Sequence, residues 1–497
     1  AAATPASSRR SRAVRPALAP ALALLALALG GCASVPVEEV FGDAAELARE
    51  RSGQRLEWPE VSAETAAVDE SVDELLARPL DAEAAVQVAL LNNRRLHARY
   101  ADLGGAAAAK VEAGLPPNPF LEVVARFRDG AGGTPQLEIS VVEELLELFL
   151  LPARKRLAAV ELERAKLDLA GAVVDLAAAT RSDFVRYQAE GQLLELDRQA
   201  LLAVEAAWEM ARQLRAAGNI SELDLLVERD FYEQVKLEVA SRELRVAVLR
   251  EGLNARMGLW GERASAWSAE ERLPGIPEAV QVPDDPEREA VGRSLDVAGA
   301  VLGLEGSARR LGVTRVTSIF PELEAGAEAE REVEHEADGS AHTEWWYGPV
   351  VAFRIPLFDQ GQPRRVAARM EIRRRWDELA ALGVEVRSAA RRAATELEYA
   401  GERALYLRDV VVPLRVAVTR ETQLHYNGMF LGVFQLLDAK RREIEAGRDY
   451  VTALRDYWLA HGELGQLLAG RLASAERAGT AGGEPGASRG EGAGREH

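Results

Sequence analysis

Side chains able to do covalent or metal chemistry are few and scattered along these 497 residues. One cysteine is present, Cys32, so no intramolecular disulfide can form and the thiol itself is the group to explain. Of the six histidines, His97, His335, His342, His425, His461 and His497, only His335 and His342 lie close in sequence, in an acidic run with Glu334, Glu336, Asp338 and Glu344. Imidazoles among carboxylates are a weak metal-binding combination, and the plainer reading of that run is a solvated loop. Four methionines in the whole chain give no thioether ladder for Cu(I). His-Glu-x-x-His, Gly-x-Ser-x-Gly, the phosphate-cradling Gly-rich loop and Cys-x-x-Cys are all missing. No enzyme is expected, and neither cofactor nor resident metal.

Cys32 gains its meaning from its flanks. Arg9, Arg10, Arg12 and Arg15 precede an apolar run from Ala17 to Leu29, and Leu29-Gly30-Gly31 leads into the cysteine. A basic start, a short apolar stretch and small residues before a cut are the parts of a secretory signal. The run is too short and too rich in alanine for a spanning helix. Cysteine after Leu-Gly-Gly resembles the lipobox of bacterial lipoproteins, which implies acylation of Cys32 as the first residue of the mature chain. Ala33 rather than Asp follows it, which by the known sorting pattern implies the outer membrane. The alternative is a buried, inert thiol.

Formal net charge is −18, and the signal carries four arginines and no acid, so the mature chain is more acidic still. Such a balance argues against nucleic acid, whose backbone requires a basic face. No later hydrophobic stretch reaches the ~20 residues of a spanning helix. Any passage of the mature chain through a bilayer must therefore use β-strands.

The elements that carry the remaining residues come twice. Pro119-Phe120-Leu121-Glu122 matches Pro321-Glu322-Leu323-Glu324, Pro152-Ala153-Arg154 matches Pro363-Arg364-Arg365, and Leu214 to Gly218 matches Leu424 to Gly428, at offsets of 202, 211 and 210 residues, the step reflecting extra residues near Glu332–His342 in the second copy. A Pro-rich link joins the copies. The order is a signal over 1–31, a lipid-linked periplasmic segment over 32–80, a first repeat over 81–272, the linker over 273–286, a second repeat over 287–470 and a disordered tail over 471–497.

Each repeat opens with a helix (Ala82 to Val111; Arg288 to Leu311), the first with Asp81 as its N-cap. Two strands follow. Leu121, Val123, Ala125 and Phe127 alternate with polar neighbours and pair with a strand bearing Leu137, Ile139 and Val141, the turn being Asp129-Gly130-Ala131-Gly132-Gly133. In the second repeat Leu323, Ala325, Ala327 and Ala329 alternate with Glu322, Glu324, Glu328 and Glu330, and the partner strand carries Val351, Phe353 and Ile355. Alternation means one apolar and one polar face. A sheet over a soluble core would show it; so would a barrel with lipid outside and the four glutamates lining a wet lumen.

Behind each hairpin runs a very long helix, Pro152 to Gly218 and Pro363 to Gly428, the second interrupted only by Pro413. About 60 helical residues span ~90 Å, far beyond a globular helix. Leu157, Val160, Leu167 and Val174 trace one apolar seam and Leu162, Ala165, Leu169 and Leu176 another, which suits a helix with neighbours on both flanks. Return helices are expected over Glu222 to Met257 and Val433 to Leu468. Gly218 and Gly428 stand where each long helix reverses and are read as supplying φ > 0. The second turn continues Met429-Phe430-Leu431-Gly432-Val433, which either staples the helix pair or is offered to a partner.

This arrangement resembles the TolC-type outer membrane factor family across about residues 81 to 470. Ala113-Gly114-Leu115-Pro116-Pro117-Asn118-Pro119 resembles the family's approach to its first strand, Ile355-Pro356-Leu357-Phe358-Asp359-Gln360-Gly361 its exit from the last, and Ala217-Gly218-Asn219-Ile220-Ser221 and Tyr426-Asn427-Gly428-Met429 its helix-tip turns. Leu148-Phe149-Leu150-Leu151-Pro152 departs from the pattern, lacking the glycine found at Gly361, so that junction must turn differently. The resemblance implies a mainly helical homotrimer, with a 12-stranded membrane β-barrel of four strands per chain continued by a long periplasmic α-helical barrel. Four strands alone cannot close, since the smallest membrane barrels have about eight. It also implies outer membrane lipid around the barrel and a covalent lipid at Cys32. A periplasmic adaptor would dock on the tips, at Gly218, Asn219, Ile220 and Leu223 and at Gly428, Met429, Phe430 and Val433, with an inner-membrane pump behind it. The function implied is the exit duct of a tripartite efflux pump. The wording Ala-Gly-Leu-Pro-Pro-Asn-Pro leans toward metal efflux over drug efflux. A type I secretion duct and a non-channel coiled-coil structural lipoprotein are the alternatives; the second has no need of the alternating strand Glu322–Glu330.

Overall fold

The computed structural model describes residues 34–54, 56, 64–127, 135–319, 322–335 and 341–473. Cys32 and the signal, the turn over 129–133 and residues 474–497 lie outside the described residues. Helices α1 (Val37–Ser52) and α2 (Glu64–Leu76) come first, then α3 (Ala82–Asn92) and α4 (Arg94–Glu112), strands β1 (Phe120–Arg126) and β2 (Gln136–Glu144), and the 72-residue α5 (Leu145–Ala216). The return helix α6 (Glu222–Met257) and a short α7 (Glu262–Ala266) lead into the linker. The second half repeats the plan with α8 (Pro286–Arg293), α9 (Leu295–Ile319), β3 (Leu323–His335), β4 (Ala341–Phe353), α10 (Gln362–Tyr406), a π-helical turn over Leu407–Val411, α11 (Val412–Asn427) and α12 (Val433–Leu468).

Both opening helices are broken, contrary to the single helices expected. Asn93 leaves the helix at ψ 108°, and its side-chain oxygen accepts from the amides of Arg95 and Leu96 while its amide group donates to the Arg256 carbonyl. Ser294 does the same in the second half, with its hydroxyl accepting from the Val297 amide. One residue out of register restarts a helix without disturbing its apolar period, and a cap of this kind is worth about 1 kcal/mol.

The long helices are the posts of a wall. Along its upper part α5 packs between α4 and α9, and α9 in turn meets α10; along its lower part α6 and α12 take those flanks. The two seams read in the sequence serve these two sides. Val160 and Leu157 lie against Gly306 of α9, whereas Leu162 and Leu169 join α1 and α4 around Phe41, Leu96 and Tyr100. Helices α1 and α2 are wrapped on this body: Val72, Leu80 and Trp267 bury one cluster, and Leu80 bridges to Ala269.

The C-terminal boundary moves outward from the expected residue 470. Arg471 pairs with Asp175 at 2.8 Å and with Asp296, fitting into the space Gly171 leaves, and Leu472 is buried. A guanidinium held between two carboxylates ties the end of α12 to both halves.

The four strands form one antiparallel meander in the order β1-β2-β3-β4, with β1 and β4 as free edges. β2 runs directly into α5 at Leu145, seven residues before Pro152, whereas β4 reaches α10 through a loop closed by Gly361 at φ 76°. That difference answers the missing glycine in the first copy: with no loop to turn, no positive φ is needed.

Candidate functional site

Register divides the sheet into two faces. Leu121 lies opposite Val141, Val123 opposite Ile139, Ile139 opposite Ala329 and Ala325 opposite Val351, so one face is almost wholly apolar. On the other, Glu138 stands between Val124 and Glu330, and Ser140 between Glu122 and Glu328, with Glu324 near the helical end. Glu322 sits just before β3 and pairs with Arg354 at 2.9 Å. Carboxylates directly opposite each other repel, so this face is stable only in water. The apolar face, by contrast, is exposed at Leu121, Val123, Val351 and Phe353, uncovered by any other described part of the chain. Trp345 and Tyr347 stack in parallel at one end of that face and Phe353 marks the other. The nine residues from Trp345 to Phe353, eight steps of about 3.4 Å tilted as in barrels, would span about 20 Å of membrane. Ile355, expected in this strand, falls beyond its end.

At the opposite end of the wall the helix pairs reverse in two different ways. Gly218 takes φ 76° as expected, and Ser221 then caps α6 through a reciprocal bond with Asp224. Those two bonds from Ser221, side chain first and then backbone, hold the Asp224 carboxyl below its ordinary range. Ile220 is half-buried and Leu223 is 70% exposed. In the second turn the expectation for Gly428 fails. Its φ is −79°, and Met429 is the residue in the left-handed region, at φ 62°. What Gly428 supplies is room: a Cβ there would stand 2.8 Å from the Phe430 ring. Met429 is 94% and Phe430 80% exposed, with Phe430 resting edge-on to His425, while Val433 is half-buried. The apolar side chains of this tip face outward and do not staple the pair.

Between sheet and tips lies an ionic cluster that the sequence did not reveal. Asp197 on α5 is 1% exposed and is bound by Arg242 of α6 and, at 2.6 Å, by Arg448 of α12. Arg242 also reaches Glu190 at 2.9 Å. The one available signal was a carboxylate directly after Leu193-Leu194-Glu195-Leu196, with no basic residue three or four positions away on α5. In the acidic histidine run His342 lies 3.8 Å from Glu344, and among the described residues no cluster of ligands could hold a metal ion. The side chain of His335 and residues 336–340 lie outside the described residues.

The architecture is therefore a meander with one lipid-compatible face, set on a wall of helices too long for any globule. No family model matches the chain. It is 24% identical over 401 residues to the cobalt-zinc-cadmium resistance protein CzcC of Cupriavidus metallidurans, covering 79% of this chain and 90% of that one. It is 26% identical over 385 residues to the outer membrane protein OprJ of Pseudomonas aeruginosa, covering 72% and 76%. Among solved structures, the open state of the Neisseria gonorrhoeae MtrE outer membrane channel superposes with a TM-score of 0.63 at 15% identity, over 78% of this chain and 89% of that one. CusC, whose crystal structures follow transmembrane channel formation, superposes at 0.58 and 14% identity, over 80% and 94%. The chain thus shares the fold of these outer membrane channels and is similar in sequence to CzcC and OprJ over most of its length.

Proposed function

We propose that this chain is one protomer of a trimeric exit duct, the outer membrane component of a tripartite efflux pump. The observation that carries the reading is the exposed apolar sheet face on a meander with two unpaired edges, continuous with a 72-residue helix. In lipid an unpaired edge costs several kcal/mol per group. Joining β4 of one copy to β1 of the next removes every edge and puts the glutamate face around water. The helical wall has the same need. Leu237, Leu244 and Val248 are exposed on its α6 side, and Tyr406 of α10 with Leu414 and Leu424 of α11 on the other. Two different patches on opposite edges suit a head-to-tail ring.

In this reading Cys32 carries the acyl anchor and the tips meet a periplasmic adaptor that couples to an inner-membrane pump. The outward Met429 and Phe430 support docking, because a solvent-facing apolar cluster at the end of an acidic tube gains most when a partner dries it. The name of CzcC supports metal ions as the cargo over a secreted polypeptide. A deletion strain complemented with the gene tests this. Restored resistance to cobalt, zinc or cadmium is the expected result; restored export of a polypeptide with no change in any resistance would replace it with the secretion reading.

A further inference from the structure

The sign of the charge reverses where the sheet meets the tube. Four segments converge there: the approach to β1 (110–119), the start of α5 (145–158), the end of α9 (308–319) and the exit from β4 into α10 (354–376). Arg309 donates to the Arg156 carbonyl at 2.6 Å, a Cβ at Gly114 would touch the Lys155 side chain, and Gly361 packs directly on Ser318. Together these segments hold fourteen Arg and Lys against four Asp and Glu, in a chain of net charge −18. Several of the cations are matched locally, such as Arg310 to Glu161 at 2.7 Å and Arg374 to Glu371 at 2.7 Å. Lys155, Arg156, Arg315, Arg365 and Arg369 form no ion pair among the described residues.

Immediately beside this band the chain exposes apolar side chains: Phe149 at the start of α5, and Ile355, Leu357 and the 99% exposed Phe358 in the loop below β4. Aromatic and aliphatic groups at the rim of a lipid-facing surface, with Arg and Lys one step further out, match a headgroup boundary, where the apolar stems stay in the lipid and the charges reach phosphate. The band lies at the helical, hence periplasmic, end of the sheet. We propose that it is a collar for anionic phospholipid headgroups of the periplasmic leaflet, with Lys155, Arg156, Arg365 and Arg369 as its phosphate ligands. The proposal rests on the barrel reading and adds a lipid preference to it.

The test uses the full-length protein in nanodiscs of equal phosphatidylglycerol and phosphatidylcholine, with the retained lipids counted by native mass spectrometry. Phosphatidylglycerol is expected to be enriched about tenfold, and the enrichment to fall when salt is raised to ~0.5 M. The variant Lys155→Gln/Arg156→Gln/Arg365→Gln/Arg369→Gln is expected to lose the enrichment yet still insert into pure phosphatidylcholine. A charge-keeping variant, Lys155→Arg/Arg156→Lys/Arg365→Lys/Arg369→Lys, should retain it. No enrichment by the native protein, or full enrichment by the glutamine variant, would overturn the collar while leaving the barrel in place. Failure of the native protein to enter either lipid would remove the barrel reading and the collar with it.

Discussion

Gly428 matters for the volume it leaves beside Phe430, and Met429 for the backbone strain it accepts. A non-glycine residue in the left-handed region costs roughly 1–2 kcal/mol. Met429→Gly is therefore expected to slow hydrogen exchange at the second tip by about tenfold while weakening adaptor crosslinking, because the strain and the apolar contact are lost together. Gly428→Asp should leave trimer yield normal but displace Phe430 and place a carboxylate amid the apolar cluster proposed to dock the adaptor, so crosslinking is expected to be lost. Gly191→Asp, in open space on the wall, is the control, and equal damage from it would point to the helix and away from the tip. The first tip should respond to pH. Bonds from Ser221 depress the Asp224 carboxyl, so its share of tip stability is present above the ordinary carboxylate range and lost as pH falls through the depressed value. Exchange at the start of α6 should rise on acidification below that range, and Ser221→Ala should remove the effect.

Among the elements, α6 and α12 begin and end at the residues expected of the two return helices, and the strand faces follow from the alternation of Leu323 to Glu330. Those features are local, so a single sequence carries them. The Asp197 cluster is not local: its two arginines come from other helices, and only the folded wall brings them together. The positive φ at Met429 was missed for a related reason, since glycine is the usual occupant and one stood next door. Removing the charge at Asp197 tests what the cluster does. Asp197→Ala leaves two arginines facing a vacated site and should cost about 3–5 kcal/mol, read as a lower trimer melting temperature. Arg245→Ala, which removes only an exposed cation 3.4 Å from Glu190, should cost at most about 1 kcal/mol. Equal shifts for the two variants would show that Asp197 is not the centre of the cluster.

For the whole molecule, rings of Glu324, Glu328 and Glu330 around the pore should raise the local cation concentration. Reversal potentials of reconstituted channels are expected to favour potassium over chloride, and anion preference would contradict the face assignment. Cys32→Ser should abolish palmitate labelling while leaving assembly intact, because the barrel anchors itself; undiminished labelling would reject acylation at that thiol. The two hairpins of the wall also differ in stiffness. From Ala153 to Ala216 α5 is an uninterrupted rod, whereas the corresponding post of the second half is divided by the π-helical turn at Leu407–Val411, with Pro413 just beyond it. A rod and a jointed arm under the same load do not bend alike. Bending of the wall is therefore expected at the arm ending at Met429, with the α5–α6 pair as the stiffer frame beside it.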